Sequence, residues 1–277
     1  MASGIDVVVK IGSMALIRKR ENDIDYNIIS RLAGELRPGM ILVSSGATEI
    51  GRLDYIKRVG QELYGDPDEV KTDYSAQGQA ILMNNYRQFV DQRYAVRQIL
   101  VEHQHFNDPE KREYIRRMLL RAPVQQAIPI INYNDPVSFE ENRKMELSDL
   151  KARAGENRHL VECVDNDETA AVISQLVGAR TLLILSSVEG IYQDPGDPAT
   201  LVERVTGSDI QSVVVAIREL QKSCVGASRA GANGAKAKLE FVLGPVQAGT
   251  RVIIGHARHS IRDLLEGRVA RTVIGVE

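Results

Sequence analysis

The chain has 277 residues, which is enough to bury a full core as one large α/β domain or two small ones. Its net charge of −2 gives no electrostatic argument for a nucleic-acid partner or an anionic membrane. No signal peptide, Cys-x-x-Cys pair or apolar run near the roughly 20 residues of a membrane helix is present, so we expect a cytoplasmic protein.

Short apolar runs alternate along the chain with longer helical patterns. The runs are nearly continuous, which is typical of parallel strands buried on both faces. The predicted strands are Ile5–Ile11, Met40–Ser44, Ala95–Val101, Ala127–Asn132, Thr181–Ser186 and Thr250–Ile254. The alternation predicts an α/β fold, a three-layer αβα sandwich around a mainly parallel sheet, whose ligands lie beyond the carboxyl ends of the strands.

Capping patterns mark two of the predicted helices. Asp108 precedes Pro109, which gives a cap followed by proline at the first helical position. Asp165 with Glu168 three residues later predicts a capping box, and Gly178 is the expected end of that helix.

The segment 138–162 is polar and shows no strand pattern, so we interpret it as a surface excursion near the pocket, of the kind that forms a lid. A boundary near residue 165 divides a single domain into an N-terminal lobe, residues 1–164, and a C-terminal lobe, residues 165–277. Both lobes are expected to share one sheet.

The first predicted strand ends in a lysine and a glycine turn, Lys10-Ile11-Gly12-Ser13. A lysine at the end of a buried strand is costly unless it meets an anion, and glycine lets the backbone approach a phosphate. Taken alone, the pattern fits a lysine that snorkels from the strand end better than an anion site.

The second predicted strand is followed by Ser45-Gly46-Ala47, where a helical stretch opens. Free N–H groups at such a position bind carboxylate or phosphate. Taken alone, an ordinary helix cap explains this segment slightly better.

Polar side chains follow the strand that begins at Ala127, in Asn132, Asn134 and Asp135. Asn and Asp are also common turn residues, so an Asx turn explains them as well. Several polar groups at one strand end favour a functional site.

Asp165, Asn166 and Asp167 lie at a predicted helix start. If Asp165 caps the helix, Asn166 and Asp167 are left to face a pocket, where a carboxylate aligns two lysines or holds Mg²⁺. Capping by all three residues is equally compatible with the pattern.

Lys236 and Lys238 lie where another helix is predicted to begin, a position from which a lysine can reach a phosphoryl group if one binds there. For one of the two, a solvated helix face is the simpler interpretation. The sequence contains no P-loop, no His-Glu-x-x-His and no Gly-x-Ser-x-Gly motif, and its five histidines show no metal-binding spacing.

Together these segments resemble the amino acid kinase superfamily, and most closely the glutamate 5-kinases, from about Val7 to the C-terminus. The resemblance is carried by the following segments, in which selected residues are numbered: Val-Val-Lys10-Ile-Gly-Ser, Val-Ser-Ser45-Gly-Ala, Ala76-Gln-Gly-Gln with Leu82-Met83, Phe106-Asn107-Asp108, Ile-Pro-Ile-Ile-Asn-Tyr-Asn-Asp135, Asp165-Asn-Asp167, Val188-Glu-Gly-Ile-Tyr192 and Ala237-Lys238-Leu239.

The resemblance implies transfer of the γ-phosphoryl group of ATP to the side-chain carboxylate of glutamate, with Mg²⁺ carried by ATP. It implies that Lys10 bridges donor and acceptor, that Lys238 binds the phosphates and that Asp167 organises both lysines. It implies that the acidic acceptor lies over the N-terminal lobe and ATP over the C-terminal lobe. The implied acceptor site is Ser45, Gly46, Ala47, Asp135 and Asn166. The implied ATP site is Lys10, Gly12, Ser13, Ser186, Ser187, Tyr192, Asn233, Gly234, Lys236 and Lys238.

The chain departs from the family pattern at three places. Ser186-Ser187 replaces a Thr-Asp pair, Asn233-Gly234-Ala235 replaces Gly-Gly-Met, and the polar segment 136–164 is longer. These departures keep open another acceptor, such as another amino acid, a carbamate or a phosphomonoester, or a non-catalytic ligand-binding protein. The resemblance also implies a step of proline biosynthesis and a homodimer or homotetramer. We expect no appended RNA-binding-type (PUA) domain.

Overall fold

A central sheet organises the protein in a computed structural model, which describes residues 4–138, 140–154, 160–163, 165–194, 196–223 and 235–277. The strands in chain order are β1 (Val7–Ile11), β2 (Ile17–Arg18), β3 (Asp23–Ile24), β4 (Met40–Ser44), β5 (Ala95–Val101), β6 (Ala127–Tyr133), β7 (Thr181–Ser186), β8 (Ile191–Tyr192), β9 (Leu201–Val202), β10 (Arg204–Gly207), β11 (Arg251–His256) and β12 (Thr272–Val276).

Helices cover the sheet and link its strands. In chain order they are α1 (Tyr26–Glu35), α2 (Ala47–Val59), α3 (Pro67–Phe89), α4 (His103–Asn107), α5 (Pro109–Arg121), α6 (Glu140–Ala154), α7 (Asn166–Val177), α8 (Ile210–Ser223), α9 (Ala235–Phe241), α10 (Leu243–Gln247) and α11 (Ile261–Glu266). Within the described ranges, none of them is both long and apolar enough to span a membrane.

The main sheet has eight strands in the described part of the chain, in the order β10-β12-β11-β7-β1-β4-β6-β5. Strand β1 lies near its centre and pairs in parallel with β4 and β7, whereas β12 runs antiparallel to β11. The predicted α/β sandwich with a mainly parallel sheet is confirmed. Because β1, β4, β6 and β7 run in the same direction, their carboxyl ends meet at one edge of the sheet.

Hydrophobic clusters lie on both faces of the sheet. On one face, Val8 of β1 belongs to the same cluster as Ala170 and Ile173 of α7. On the other face, Val9 of β1 packs in a cluster with Ile29 of α1. Alternate residues of β1 therefore face opposite layers of helices, as expected for a strand buried on both sides.

The six predicted strands are present with small shifts at their ends: β1 begins at Val7 and β11 runs from Arg251 to His256. Strand β10, at one edge of the main sheet, and its neighbour β12 were missed. The polar segment contains a helix, α6. Strands from before and after residue 165 share the sheet, while the division of roles between the lobes 1–164 and 165–277 stays a prediction.

Candidate active site

Three charged side chains meet beyond the carboxyl end of β1. The Lys10 Nζ atom lies 2.7 Å from Oδ1 of Asp167, and the Lys238 Nζ atom lies 3.0 Å from Oδ2 of the same carboxylate. The side chains of Lys10 and Asp167 are 9% and 5% exposed, and that of Lys238 is 21% exposed. One buried carboxylate therefore holds two ammonium groups, one on each oxygen.

The local folding of β1 and α7 explains how this cluster forms. Lys10 is two residues after Val8, so it faces the side of the sheet on which α7 packs. Asp165 caps α7, since its Oδ1 atom accepts hydrogen bonds from the N–H groups of Asp167 and Glu168. The predicted cap is confirmed, and Gly178 ends the helix in the left-handed conformation. Asp167 is thus free to turn toward Lys10.

The two lysines also fix the charge state of Asp167. Burial by itself would raise the pKa of this carboxyl group, but the charges of Lys10 and Lys238 and their hydrogen bonds outweigh it and lower the pKa below its usual value. The position of Asp167 in the first turn of α7 favours the anion further. The carboxylate is therefore ionised at neutral pH and serves as an anchor for cations.

A chain of amide and hydroxyl groups adjoins the charged cluster. Asn166 donates from Nδ2 to the hydroxyl of Ser45 at 3.0 Å and to Oδ1 of Asn132 at 2.9 Å. Asn132 in turn donates to Oε1 of Gln79 at 2.8 Å. The Oδ1 atom of Asn166 is buried and accepts no hydrogen bond from any described residue. An unpaired buried acceptor of this kind is costly unless a ligand donates to it.

Gly46 prepares the neighbouring helix terminus. It precedes α2 with φ of 106°, a left-handed conformation that side chains rarely adopt, and a Cβ atom there would lie 3.0 Å from Cδ1 of Leu16. No described side chain caps this helix. The first-turn N–H groups of α2, next to Ser45, are therefore suited to bind an anion.

Gln79 belongs to the Ala76-Gln-Gly-Gln segment of the resemblance, but the sequence assigned it no role in the site. Helix α3 approaches α2 so closely that a Cβ atom at Gly78 would lie 1.8 Å from the carbonyl oxygen of Ala47. This contact of two backbones brings the buried Gln79 to Asn132. The available signal was the polar Gln-Gly-Gln run inside a helix of otherwise apolar spacing.

Asp135 lies just beyond β6 and has an unusual acidity. Burial raises its pKa to about 6, and the positive charge of Arg143 on α6 opposes that effect only in part. Arg143 donates to the carbonyl oxygen of Cys163 at 3.1 Å, and its guanidinium carbon lies 5.8 Å from the ring centre of Tyr133. The predicted excursion thus contributes a cation close to Asp135, although no contact joins Asp135 to Asn166 directly.

The predicted ATP residues lie at different distances from this cluster. A Cβ atom at Gly12 would lie 3.6 Å from Lys10 Nζ, which places the glycine turn beside the lysine. Ser13 opens a short 3₁₀ turn directly after it. Ser186 ends β7, the neighbour of β1, so it lies on the same edge, and Ser187 is the exposed residue after it.

The remaining predicted ATP residues are more scattered. Tyr192 lies on the small ribbon of β8 and β9, where it is opposite Leu201. Lys238 on α9 reaches Asp167, whereas Lys236 is exposed. Asn233 and Gly234 lie outside the described residues, so their predicted role has no structural test.

A metal ion bound directly by the protein would need several His, Cys, Asp or Glu side chains close together. Across the described ranges, no three His, Cys, Asp or Glu side chains are grouped so that they would hold an ion. The carboxylate of Asp167 already faces two ammonium groups, which a cation would have to displace. The cluster therefore fits the anionic phosphates of Mg-ATP better than a bare Mg²⁺ ion.

The sequence matches the model of a known protein family and is similar to several curated proteins. The model of the amino acid kinase family matches residues 7–256. Among curated relatives, a protein named glutamate 5-kinase from Enterococcus faecalis is 28% identical over 95% of this chain and 91% of its own length. Glutamate 5-kinase of Bacteroides thetaiotaomicron is 28% identical and glutamate 5-kinase 2 of Bacillus subtilis is 30% identical, each over 94% of this chain. The chain spans 66% of the length of each of these two relatives.

Solved structures support the same fold. Carbamate kinase from Giardia superposes with a TM-score of 0.62 over the full length of both chains at 14% identity. UMP kinase from Ureaplasma parvum superposes with a TM-score of 0.54 over 98% of both chains at 13% identity. At such identities the likeness concerns the fold alone.

Proposed function

The chain belongs to the amino acid kinase family, and on that premise we propose that it transfers the γ-phosphoryl group of ATP to the side-chain carboxylate of a small acidic acceptor. L-Glutamate is the first candidate, with L-glutamyl 5-phosphate as its product. The observation that carries the proposal is the carboxylate of Asp167, which holds Lys10 and Lys238 at 2.7 and 3.0 Å. Two ammonium groups fixed side by side suit a reaction centre at which negative charge accumulates.

The lysines supply the electrostatic part of the mechanism. Phosphoryl transfer needs positioning and neutralisation of charge on the transferring group, with little covalent help from the protein. Lys10 and Lys238 are held in place before any substrate binds, so they need no reorganisation during the reaction. ATP, when bound with Mg²⁺, supplies the phosphoryl group.

The absence of a free base from this cluster also favours a carboxylate acceptor. A carboxylate is ionised at neutral pH and attacks without losing a proton. Asp167 is engaged by two lysines and its pKa is lowered, so it is a poor base. An alcohol acceptor would require a proton acceptor that this carboxylate does not supply.

The neighbouring polar groups suit the amino acid end of glutamate. The carboxylate of Asp135 and the unpaired Oδ1 atom of Asn166 are hydrogen-bond acceptors for an ammonium group. The first turn of α2, at Ala47, offers N–H groups to an α-carboxylate. Gln79 and Asn132 hold Asn166 in the orientation that leaves its Oδ1 atom available.

The test is ADP release from Mg-ATP in the presence of glutamate and of a panel of other amino acids, carbamate and phosphomonoesters. Acyl phosphate is trapped with hydroxylamine as the hydroxamate. We expect turnover with glutamate that depends on Lys10. Turnover with another acceptor alone would keep the reaction type and change the substrate. ATP binding without turnover on any acceptor would reject the enzymatic proposal in favour of a non-catalytic ligand-binding protein.

One observation favours a second candidate acceptor. Arg143 places a guanidinium near Asp135, on a helix of the segment that is longer than the family pattern. An acceptor with an additional anionic group, such as a phosphomonoester, would use that cation. The same panel decides between the two, because a phosphomonoester and glutamate differ in this group.

The wider setting belongs to the same proposal and rests on the resemblance to glutamate 5-kinases. The product would enter proline biosynthesis in the cytoplasm, and the protein would act as a homodimer or homotetramer. Light scattering coupled to gel filtration tests the assembly. A monomer at micromolar concentration would contradict that part of the proposal.

A further inference from the structure

A second concavity lies on one face of the sheet at the end formed by β10, β12 and β11, where β10 is the edge strand, and it shares no residue with the candidate active site. Its volume is about 610 Å³. The charged residues of its lining are Glu203, Arg204, Arg251, Arg268, Arg271 and Glu277. Four of them are arginines and two are glutamates, so their side chains carry two more positive than negative charges.

Two glycines keep the space open around the arginines. A Cβ atom at Gly275 would lie 3.7 Å from the Cα atom of Arg251, so the strand floor beside Arg251 has no side chain. Gly267 ends α11 with φ of 75°, which favours glycine, and a Cβ atom there would lie 2.7 Å from Nη2 of Arg271, so a side chain would move that guanidinium. Larger residues at either position would fill the concavity or displace an arginine.

The arginines differ in how far their charges are compensated. The Nη1 atom of Arg204 lies 3.7 Å from Oε1 of Glu277, and the Nη1 atom of Arg268 lies 3.2 Å from Oδ1 of Asp263. Arg251 and Arg271 form no ion pair with a carboxylate anywhere in the described part of the chain. Their charges are therefore the uncompensated ones, with Glu203 exposed at the rim.

Arg271 is held in position although its surroundings oppose its charge. Its Nη1 atom donates to the carbonyl oxygen of Leu264 at the end of α11. Burial, and then the positive charges of Arg251 and Arg204, lower the pKa of Arg271. A bound anion would relieve that repulsion, whereas water relieves it only by screening.

We propose that Arg251 and Arg271 form a binding site for a small molecule that carries a phosphate or pyrophosphate group. A guanidinium binds phosphate oxygens through two parallel hydrogen bonds, and a fixed guanidinium loses less freedom on binding than a mobile one. The concavity has the size of a small-molecule site rather than of a protein or nucleic-acid interface.

Equilibrium dialysis with labelled pyrophosphate and with inorganic phosphate tests the proposal. The titration is made in the Lys238→Met background, so that the phosphate site proposed for ATP is weakened and the second site is seen separately. The Arg251→Gln/Arg271→Gln pair is compared with Arg37→Gln/Arg121→Gln, a control that removes the same charge from exposed arginines outside the concavity.

Each guanidinium that binds the anion is expected to contribute about tenfold in affinity. Arg251→Gln alone should therefore weaken pyrophosphate binding about tenfold and the pair about a hundredfold, while the control pair leaves it unchanged. No hydrogen bond or ion pair of the Arg251 side chain is present in the described part of the chain, and Gln keeps the backbone bond to Arg180. The single variant therefore remains informative if Arg271→Gln unfolds. Equal weakening by the control pair, or no binding in the Lys238→Met background, would overturn the proposal.

Discussion

The candidate active site has two halves that differ in how their polar groups are satisfied. In the lysine half, Lys10 and Lys238 flank Asp167, and every charge faces an opposite charge within 3.0 Å. In the amide half, neutral groups of Ser45, Asn132 and Asn166 share hydrogen bonds, and one buried acceptor is left without a partner. The charges of the first half are balanced without a ligand, whereas the second half keeps a buried neutral acceptor unpaired.

The difference indicates which step each half serves. A compensated cluster of charges has fixed geometry and is suited to stabilising a transition state. An incomplete hydrogen-bond network gains most when a ligand completes it, so it contributes to ground-state binding. We therefore expect changes in the lysine half to lower kcat and changes in the amide half to raise KM for the acceptor.

The largest effect is expected from Asp167→Asn. This substitution leaves two partly buried ammonium groups facing each other without an anion. Removal of one partner from a buried ion pair costs about 3–5 kcal/mol of stability. We expect a loss of that size in urea unfolding, and a kcat lowered by at least about a thousandfold because both lysines lose their anchor.

The same variant tests the comparison itself. A change confined to KM for glutamate would assign Asp167 to the acceptor and contradict the assignment of the lysine half to catalysis. Asp165→Asn is a suitable control, because Asn also caps helices and the cap at Asp165 faces the backbone of α7. It should leave kcat within about twofold, well below the effect expected at Asp167.

Lys10→Met should separate catalysis from stability. Asp167 keeps Lys238 as its partner in this variant, so the loss of stability should be smaller than for Asp167→Asn. Removal of one fixed positive group from a reaction centre costs about 10²–10³ in kcat. Circular dichroism and urea unfolding measure the first quantity and the coupled ADP assay the second. A wild-type kcat would remove Lys10 from the mechanism.

The two lysines of α9 give a matched pair with a smaller effect. Lys238 is within 3.0 Å of Asp167 and partly exposed, whereas Lys236 is exposed. Because water screens a partly exposed charge, we expect Lys238→Met to lower kcat/KM for ATP about tenfold to a hundredfold. Lys236→Met should change it by less than about twofold. Equal effects of the two substitutions on kcat/KM for ATP would show that the ion pair with Asp167 does not determine which lysine serves ATP.

The sequence predicted the buried part of the fold well because continuous apolar runs identify strands that are covered on both faces. It missed β10 and β12, in which exposed or half-buried residues alternate with buried ones, such as the exposed Arg204 beside the buried Val205. It also missed α6, whose polar sequence shows no continuous apolar stripe and includes the buried Leu147. A local sequence pattern does not predict the secondary structure of a segment that is stabilised mainly by its packing against the rest of the protein.

The site was predictable to the level of strand ends and helix starts. The strand pattern predicted Lys10 at the carboxyl end of a strand, and Asp167 and Lys238 were predicted at helix starts. The structure brings the three side chains together, while the roles that the resemblance implies for them stay predictions. The choice between Lys236 and Lys238 needed the orientation of α9, which the short run of alternating lysines does not fix. The contact of Arg143 with Cys163 spans 20 positions and that of Gln79 with Asn132 spans 53 positions. No local pattern encodes such contacts. The arginines of the second concavity come from separate segments for the same reason.

The smallest effect is expected at Asp135, which follows the strand that carries Asn132 of the amide half, and it depends on pH. The pKa of Asp135 is raised to about 6 because the carboxyl group is buried. If the ionised form binds the ammonium group of the acceptor, kcat/KM for glutamate should fall about tenfold between pH 7 and pH 5, since the ionised fraction falls about tenfold over that range. Saturating Mg-ATP keeps the ionisation of the nucleotide out of this ratio.

Asp135→Asn is the control for that profile, and it also gives a readout that needs no activity. The variant should have a low kcat/KM with no step near pH 6. Because the folded pKa lies above the unfolded value, ionised Asp135 destabilises the wild-type protein above pH 6, and this penalty disappears as the pH falls toward 4. Asp135→Asn should therefore be more stable than the wild type at pH 8 and lose that advantage by pH 4. A stability difference that does not change with pH would mean that Asp135 is ordinarily acidic and that the step near pH 6 belongs to another group.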